Sequence, residues 1–213
     1  MELVLASSSP RRRELLAALG IPFMVVPPPQ DEAHARPGVL PAALACELAL
    51  AKVRAVAALH PQVPVLGADT VVALRGRALG KPVDHEEAIA MLRRLRNRWH
   101  RVVTAIALAH HGRATLAYAT SWVHIRPLQE EEIRRYVEKG EPFDKAGGYA
   151  IQDQELRPVD RYLGCYCNVV GLSLALVVRM LKRLGVQVPS SPPTSWCEAC
   201  PLWARIVGPE RPC

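Results

Sequence analysis

One stretch constrains the fold more than any other: Val65-Leu66-Gly67-Ala68-Asp69-Thr70-Val71-Val72, with Gly80-Lys81-Pro82 a few residues later. Apolar, β-branched residues flank a small Gly-Ala pair and then a carboxylate. That pattern reads as a buried strand with Asp69 at or near its end. A carboxylate in such a run is costly unless a cation, a metal or hydrogen bonds compensate it. Asp69 therefore requires partners, unless it merely initiates a turn.

Those partners must come from a chain of 213 residues, enough for one large domain or one domain with a small appendage. Half of it is apolar and 22% is charged, as in soluble globular proteins. No apolar run approaches the roughly 18 residues of a membrane span, so no membrane partner is expected. Met1-Glu2-Leu3-Val4-Leu5 enters a strand pattern at once, with no basic n-region or cleavage site, and the expected location is cytoplasmic. The net charge of +7 suits anionic partners such as nucleotides, polynucleotides or acidic surfaces. Aromatics make up only 5% and no nucleic-acid motif is present, which argues against the polynucleotide despite the basic 93–101 stretch.

Six cysteines are scattered at 46, 165, 167, 197, 200 and 213, without a small-domain disulfide framework. Cys197-x-x-Cys200 is a weak zinc or redox signal. Structural zinc needs four ligands, and the tail offers at most Cys213 as a third.

Along the chain, residues 2–6 read as a strand and Ser9-Pro10 as the N-cap and first position of a helix with Leu15, Leu16 and Leu19 inward. A strand, the hydroxyls of Ser7, Ser8 and Ser9, and a helix N-terminus together make an anion site. Arg11, Arg12 and Arg13 oppose the helix dipole there, a conflict that a bound phosphate relieves; the alternative is a solvated basic turn. Residues 21–26 read as a second strand, followed by a Pro- and His-bearing loop with Asp31-Glu32. Residues 42–59 form a largely buried helix, so Lys52 either snorkels or points into a pocket.

After the central strand, a hairpin turns at Gly76, and Asp84 caps a helix with Glu87 completing a capping box. Residues 100–108 and 115–125 pair around His111-Gly112, and 129–139 form a charged helix. The polar 141–152 stretch, with Gly147-Gly148, is a loop where backbone can approach a ligand, leading into a strand-like segment. A last apolar helix spans 172–184. From 186 the chain turns Pro- and Ser-rich and reads as a loosely ordered tail, 186–213, after a domain of 1–185. Strands and helices alternate without a clean βαβ period, which favours a mixed-sheet α/β domain.

Eight motifs in order resemble the Maf family of nucleoside triphosphate pyrophosphatases, and the match covers nearly everything but the tail. They are Ala6-Ser7-Ser8-Ser9-Pro10-Arg11-Arg12-x-Glu14-Leu15-Leu16, Asp31-Glu32, Ala49-x-x-Lys52, Gly67-Ala68-Asp69-Thr70-Val71-Val72 and Gly80-Lys81-Pro82. The last three are His100-x-Val102-x-Thr104, Asp144-Lys145-Ala146-Gly147-x-Tyr149-x-Ile151-Gln152 and Asn168-Val169-Val170-Gly171-Leu172. The resemblance implies a Maf/inosine-triphosphatase-like α/β fold, an elongated mixed sheet flanked by helices with a cleft between two lobes. It also implies hydrolysis of a nucleoside triphosphate to the monophosphate and pyrophosphate with a divalent cation, Mg²⁺ or Mn²⁺, and a common homodimeric state.

By the same resemblance Asp69 is the proton acceptor. Arg11, Thr70 and Gln152 match the branch acting on dTTP and UTP rather than the branch acting on 7-methyl-GTP. On these expectations Arg11, Arg12, Lys52, Lys81 and the hydroxyls of Ser7 and Ser9 hold phosphates. Glu32 and Asp69 hold the metal, and Thr70 and Gln152 address the base. Lys145 either serves the phosphates or pairs with Asp144, and His100 reads as a core hydrogen-bonding residue. The biological role implied is house-cleaning of nucleotide pools. The rival readings are a nucleotide-binding regulator of cell division without turnover, and a pyrophosphatase for a different or modified nucleotide. The chain departs from the family at Arg96-Asn97, at Ser173, and at Gly164-Cys165-Tyr166-Cys167, where Gly-Ser-Tyr is common; the last change looks neutral in sequence.

Overall fold

A computed structural model describes residues 2–29 and 38–207; Asp31, Glu32 and Cys213 lie outside the described residues. In chain order the elements are β1 (Leu3–Ala6), α1 (Pro10–Ala17), β2 (Phe23–Val25), α2 (Pro41–Ala57), β3 (Val65–Leu74), β4 (Arg77–Leu79), α3 (His85–Leu95), β5 (Arg98–His110) and β6 (Arg113–Ile125). Then come α4 (Glu130–Glu138), a 3-10 turn (Ala146–Gly148), β7 (Val159–Leu163), α5 (Tyr166–Val170), α6 (Leu174–Arg183), α7 (Ser195–Glu198) and α8 (Pro201–Ile206). None of the described helices is long and apolar enough to cross a membrane.

The mixed sheet runs β2-β1-β3-β5-β6-β7, with β4 also on β3. β1 is parallel to β2 and β3, and every other pairing is antiparallel. β3 is the organising strand. One of its edges pairs with β5 from Val65 to Ala73. Its other edge is shared: β1 covers Val65 to Gly67, β4 covers Val72 to Leu74, and residues 68–71 between them have no strand partner. Asp69 is therefore mid-strand, not near the end of one, and sits at a gap in the sheet edge. The sequence pattern could not show this, because the Gly-Ala-Asp interruption looks like a strand end when the second half of the edge is invisible.

Alternation of side chains divides the core. Val65, Val71, Val103, Ala105 and Ala107 face α2. On the opposite face, Leu66, Ala68, Ile106 and Leu108 pack with α1 and α6, while Val72, Leu74 and Val102 pack with α3 and α4. Local chemistry sets the helix ends as read from sequence. Ser9 caps α1 with Pro10 following, and Asp84 caps α3 by accepting from the Glu87 N–H at 2.7 Å. Glu87 in turn accepts from the Val83 N–H rather than from the cap itself. Gln129 and Glu132 form the reciprocal box on α4.

Two expectations need correction. The strand-like segment near 149–152 is turn, because Gly147 at φ 75° and Gly148 at φ 72° curl the chain instead of extending it. The tail is not loose through 207: α7 and α8 bury Cys197, Cys200, Trp203 and Val207 in the core beside α6. Trp196 stacks on Tyr166, with ring centroids 4.9 Å apart. Pro and Ser content suggested disorder, but two tryptophans supply the apolar area that ordering requires.

Candidate active site

A cleft of about 820 Å³ opens over the gap in β3. It gathers residues from five of the motifs: Ser9, Arg11, Arg12, Lys52, Asp69, Thr70, Lys81, Lys145 and Gln152 all line it. Glu32 lies outside the described residues, so its expected role has no geometry here. Ser7 sits behind the cleft wall. It is buried at 3%, does not line the cleft, and its hydroxyl accepts from the Ser9 N–H at 3.1 Å, which shapes the turn entering α1.

Asp69 lies on the α2 face of β3, where Lys52 Nζ donates to its Oδ1 at 2.6 Å. Both are 9% exposed, so the ammonium offsets the cost of burying the carboxylate and fixes its orientation. Gly67 permits this pairing. A Cβ there would meet Val53 Cγ2 at 2.6 Å, so only glycine lets α2 approach β3 this closely.

Thr70 points to the opposite face, into a relay of hydroxyls. Its Oγ1 lies 3.0 Å from Thr104 Oγ1, and Thr104 donates to the Asn168 carbonyl at 2.7 Å. A hydroxyl has one proton, so Thr70 must be the donor to Thr104. Arg12 Nη2 donates to Thr70 Oγ1 at 3.3 Å, and Arg12 Nε donates to the Gly171 carbonyl at 3.0 Å. Arg12 thus braces the cleft wall as well as lining it. Thr104, Asn168 and Gly171 were visible as motif residues but carried no assigned role; their function appears only when β3, β5 and α5 meet.

The far wall is tied across the cleft. Asp144 accepts from Lys145 Nζ at 2.7 Å and pairs with Arg11 Nη2 at 3.2 Å. Burial pushes the Asp144 carboxyl up, but the Lys145 hydrogen bond and the charges of Arg11 and Lys145 outweigh it, leaving it below the usual range. Lys145 also donates to the Glu141 carbonyl and to Glu141 Oε2. Lys145 thus lines the cleft while paired with Asp144 and Glu141. Gly147, whose N–H donates to the Gly80 carbonyl at 3.0 Å, locks this loop onto the Gly80-Lys81-Pro82 wall. Lys81 stands exposed on that wall. His100 is neutral core, as expected. Burial lowers it to about 4, and its Nε2 lies 2.6 Å from the Tyr149 hydroxyl.

The donor chemistry suits a hard divalent cation held jointly with a substrate. Mg²⁺ is commonly bound by one or two carboxylates plus phosphate oxygens, and Asp69 shares the cleft with Arg11, Lys52 and Lys81.

Across residues 2–184 the chain matches the family described as Maf-like protein. It belongs to the Maf family. The dTTP/UTP pyrophosphatase of Thermomicrobium roseum is 54% identical over 207 residues, covering 95% of this chain and 94% of that protein. The alignment therefore extends into the segment after residue 184. The dTTP/UTP pyrophosphatase of Symbiobacterium thermophilum is 48% identical, covering 88% and 96%, and that of Pelotomaculum thermopropionicum is 47% identical, covering 88% and 98%. Among solved structures, the nucleoside-triphosphatase/dITP/XTP pyrophosphatase of Mycobacterium abscessus superposes with a TM-score of 0.42 at 16% identity, covering 87% of this chain and 97% of that one. The mixed sheet flanked by helices is the architecture expected from sequence.

Proposed function

We infer that this Maf-family chain hydrolyses dTTP and UTP to the nucleoside monophosphate and pyrophosphate. One observation carries the reading: the Lys52–Asp69 pair on the floor of a cleft walled by Arg11 and Lys81. Its relatives bearing the name dTTP/UTP pyrophosphatase support the same reaction.

In the proposed reaction a water oxygen bonds to the α-phosphorus, the bridging α–β P–O bond breaks, and pyrophosphate leaves. Lys52 occupies Asp69 Oδ1, so Oδ2 accepts the proton of the attacking water. Arg11 and Lys81 stabilise the charge that gathers on phosphate oxygens, helped by the N–H groups at the start of α1. Asp69, with Glu32 as the expected second carboxylate, would hold Mg²⁺ or Mn²⁺, which neutralises phosphate charge when bound.

Base choice follows from the hydroxyl relay. Thr70 spends its proton on Thr104, so it offers a ligand only lone pairs. That suits the N3–H donor of uracil or thymine and disfavours cytosine, whose N3 is an acceptor. The Gln152 amide supplies both a donor and an acceptor for the remaining base edge. House-cleaning of nucleotide pools in the cytoplasm is the role consistent with this chemistry. A homodimer accords with Tyr118 and Trp122 standing exposed on β6, and sedimentation checks it.

The test is a panel of nucleoside triphosphates with Mg²⁺ or Mn²⁺, scoring pyrophosphate separately from phosphate. Pyrophosphate release strongest with dTTP and UTP is expected. A purine or modified nucleotide as best substrate overturns the base assignment, and binding without turnover overturns the reaction.

A further inference from the structure

Four cysteines from two distant stretches meet in the interior, away from the cleft. Cys165 is the cap residue of α5 and Cys167 lies within it. Cys197 comes from α7, and Cys200 caps α8. All four are at most 3% exposed. Cys167 Sγ lies 3.8 Å from Cys197 Sγ, and the charge of the Cys165 thiol acts on Cys167, Cys197 and Cys200 alike. All four belong to one buried cluster. Cys46, on α2, takes no part.

Buried cysteines often serve as small apolar residues, and one or two here would need no other account. Four gathered in one buried cluster are different, and a backbone donor addresses one of them. The Asn168 N–H donates to Cys165 Sγ at 3.4 Å. Amide donors directed at sulfur stabilise thiolates, the form that binds metals. The spacings, Cys-x-Cys and Cys-x-x-Cys, bring two ligands from each of two loops that open short helices.

We propose that Cys165, Cys167, Cys197 and Cys200 bind one zinc ion as a tetrahedral tetrathiolate site that staples the C-terminal segment to the sheet. Soft thiolates in a tetrahedral set select zinc, and Zn–S bonds of about 2.3 Å set sulfurs roughly 3.8 Å apart, the separation Cys167 and Cys197 already have. Among the described residues no three metal-ligating side chains yet converge on a single metal position. Zinc binding would turn the four cysteine side chains toward a common point. On binding, each thiol releases its proton to solvent and gives a sulfur lone pair to zinc, so no oxidant is required. A disulfide between Cys167 and Cys197 would leave two buried thiols, Cys165 and Cys200, without a purpose.

The staple sits behind the cleft. Cys165 and Cys167 lead directly into Asn168 and Gly171, whose carbonyls receive Thr104 and Arg12. The bound metal would fix the strut that sets the Thr70 relay.

The experiment uses the full chain, purified under reducing conditions, with zinc measured by mass spectrometry after gel filtration and dialysis against a chelator. One zinc per chain is expected, falling to background in Cys197→Ser and in Cys200→Ser and unchanged in Cys46→Ser. Loading with Co²⁺ in place of zinc should give the sulfur-to-cobalt charge-transfer band and intense visible bands of a four-thiolate tetrahedral site. This spectrum decides the matter on the unaltered chain even if the serine variants do not fold. No retained zinc together with no charge-transfer band overturns the proposal, as does a Cys167–Cys197 disulfide in the freshly isolated protein.

Discussion

The cleft and the cysteine corner both gather reactive side chains, and they do so in opposite ways. The cleft is open and cationic, and its parts come from α1, α2, β3, the 80–82 wall and the 144–152 loop, each tethered by a long-range contact. The corner is dry, and its four sulfurs come from only two short stretches packed on α6. In the cleft Asp69 and Asp144 are each held by cations; in the corner the neighbours are other thiols and a backbone amide. The difference teaches that the cleft's chemistry lies in its charges, while the corner's work is to hold the chain together. Substitutions in one should therefore change turnover and in the other stability.

The sharpest break is Asp69→Asn. It should lower pyrophosphate release from dTTP and UTP by about 10²- to 10⁴-fold, while circular dichroism and the thiol count stay unchanged. A variant that keeps its turnover would remove Asp69 from the chemistry. The converse case is Cys197→Ser, which should lower the melting temperature by about 10 °C and raise KM more than it lowers kcat. Equal melting of variant and parent would leave the corner without a structural role.

Acid offers a third test, on the cleft side. His100 is held neutral in the fold, at about 4, against an ordinary 6.5 in the unfolded chain. Between those values the unfolded state binds the extra proton, so stability is full above about pH 6.5 and falls as pH drops toward 4, by about 3 kcal/mol. Denaturant titrations across that range should show the slope, and His100→Gln should flatten it.

Gly67→Ala places a methyl against Val53 and should push α2 from β3, costing about 1–3 kcal/mol and loosening Lys52 from Asp69. The zinc content should be untouched, which separates the two regions again. The smallest effect is in selectivity. Thr104→Val frees the Thr70 proton, so the preference for UTP over CTP should fall by about tenfold. An unchanged ratio would take Thr70 out of base reading.

Much of the molecule is legible in its amino-acid sequence. The caps at Ser9 and Asp84, the hairpins at Gly76 and Gly112, and the long apolar α2 follow from local rules that neighbouring residues cannot easily override. The cleft residues are legible as motifs, and the fold brings the described ones to one place, apart from Ser7. Less legible are β7 and α5. The five-residue β7 and the five-residue α5 carry too few positions for a periodic pattern to emerge. Lys145 could not be assigned either, since its partner Glu141 lies one turn back along a loop with no regular period.

The sequence by itself determined which residues are chemically able to act: a buried Asp69, the cations that could offset it, the strand that carries it, and a loose-looking cysteine pair in the tail. Those choices are local, made by side-chain type and spacing. Only the tertiary structure decided how they meet. The split edge of β3 turned a mid-strand carboxylate into the floor of a cleft. The hydroxyl relay made Thr70 an acceptor, and the packing of α7 and α8 supplied Cys197 and Cys200 with Cys165 and Cys167. The physical reason is the same in each case. Pairings between residues tens of positions apart are fixed by which apolar faces must be buried together, and no local pattern encodes that.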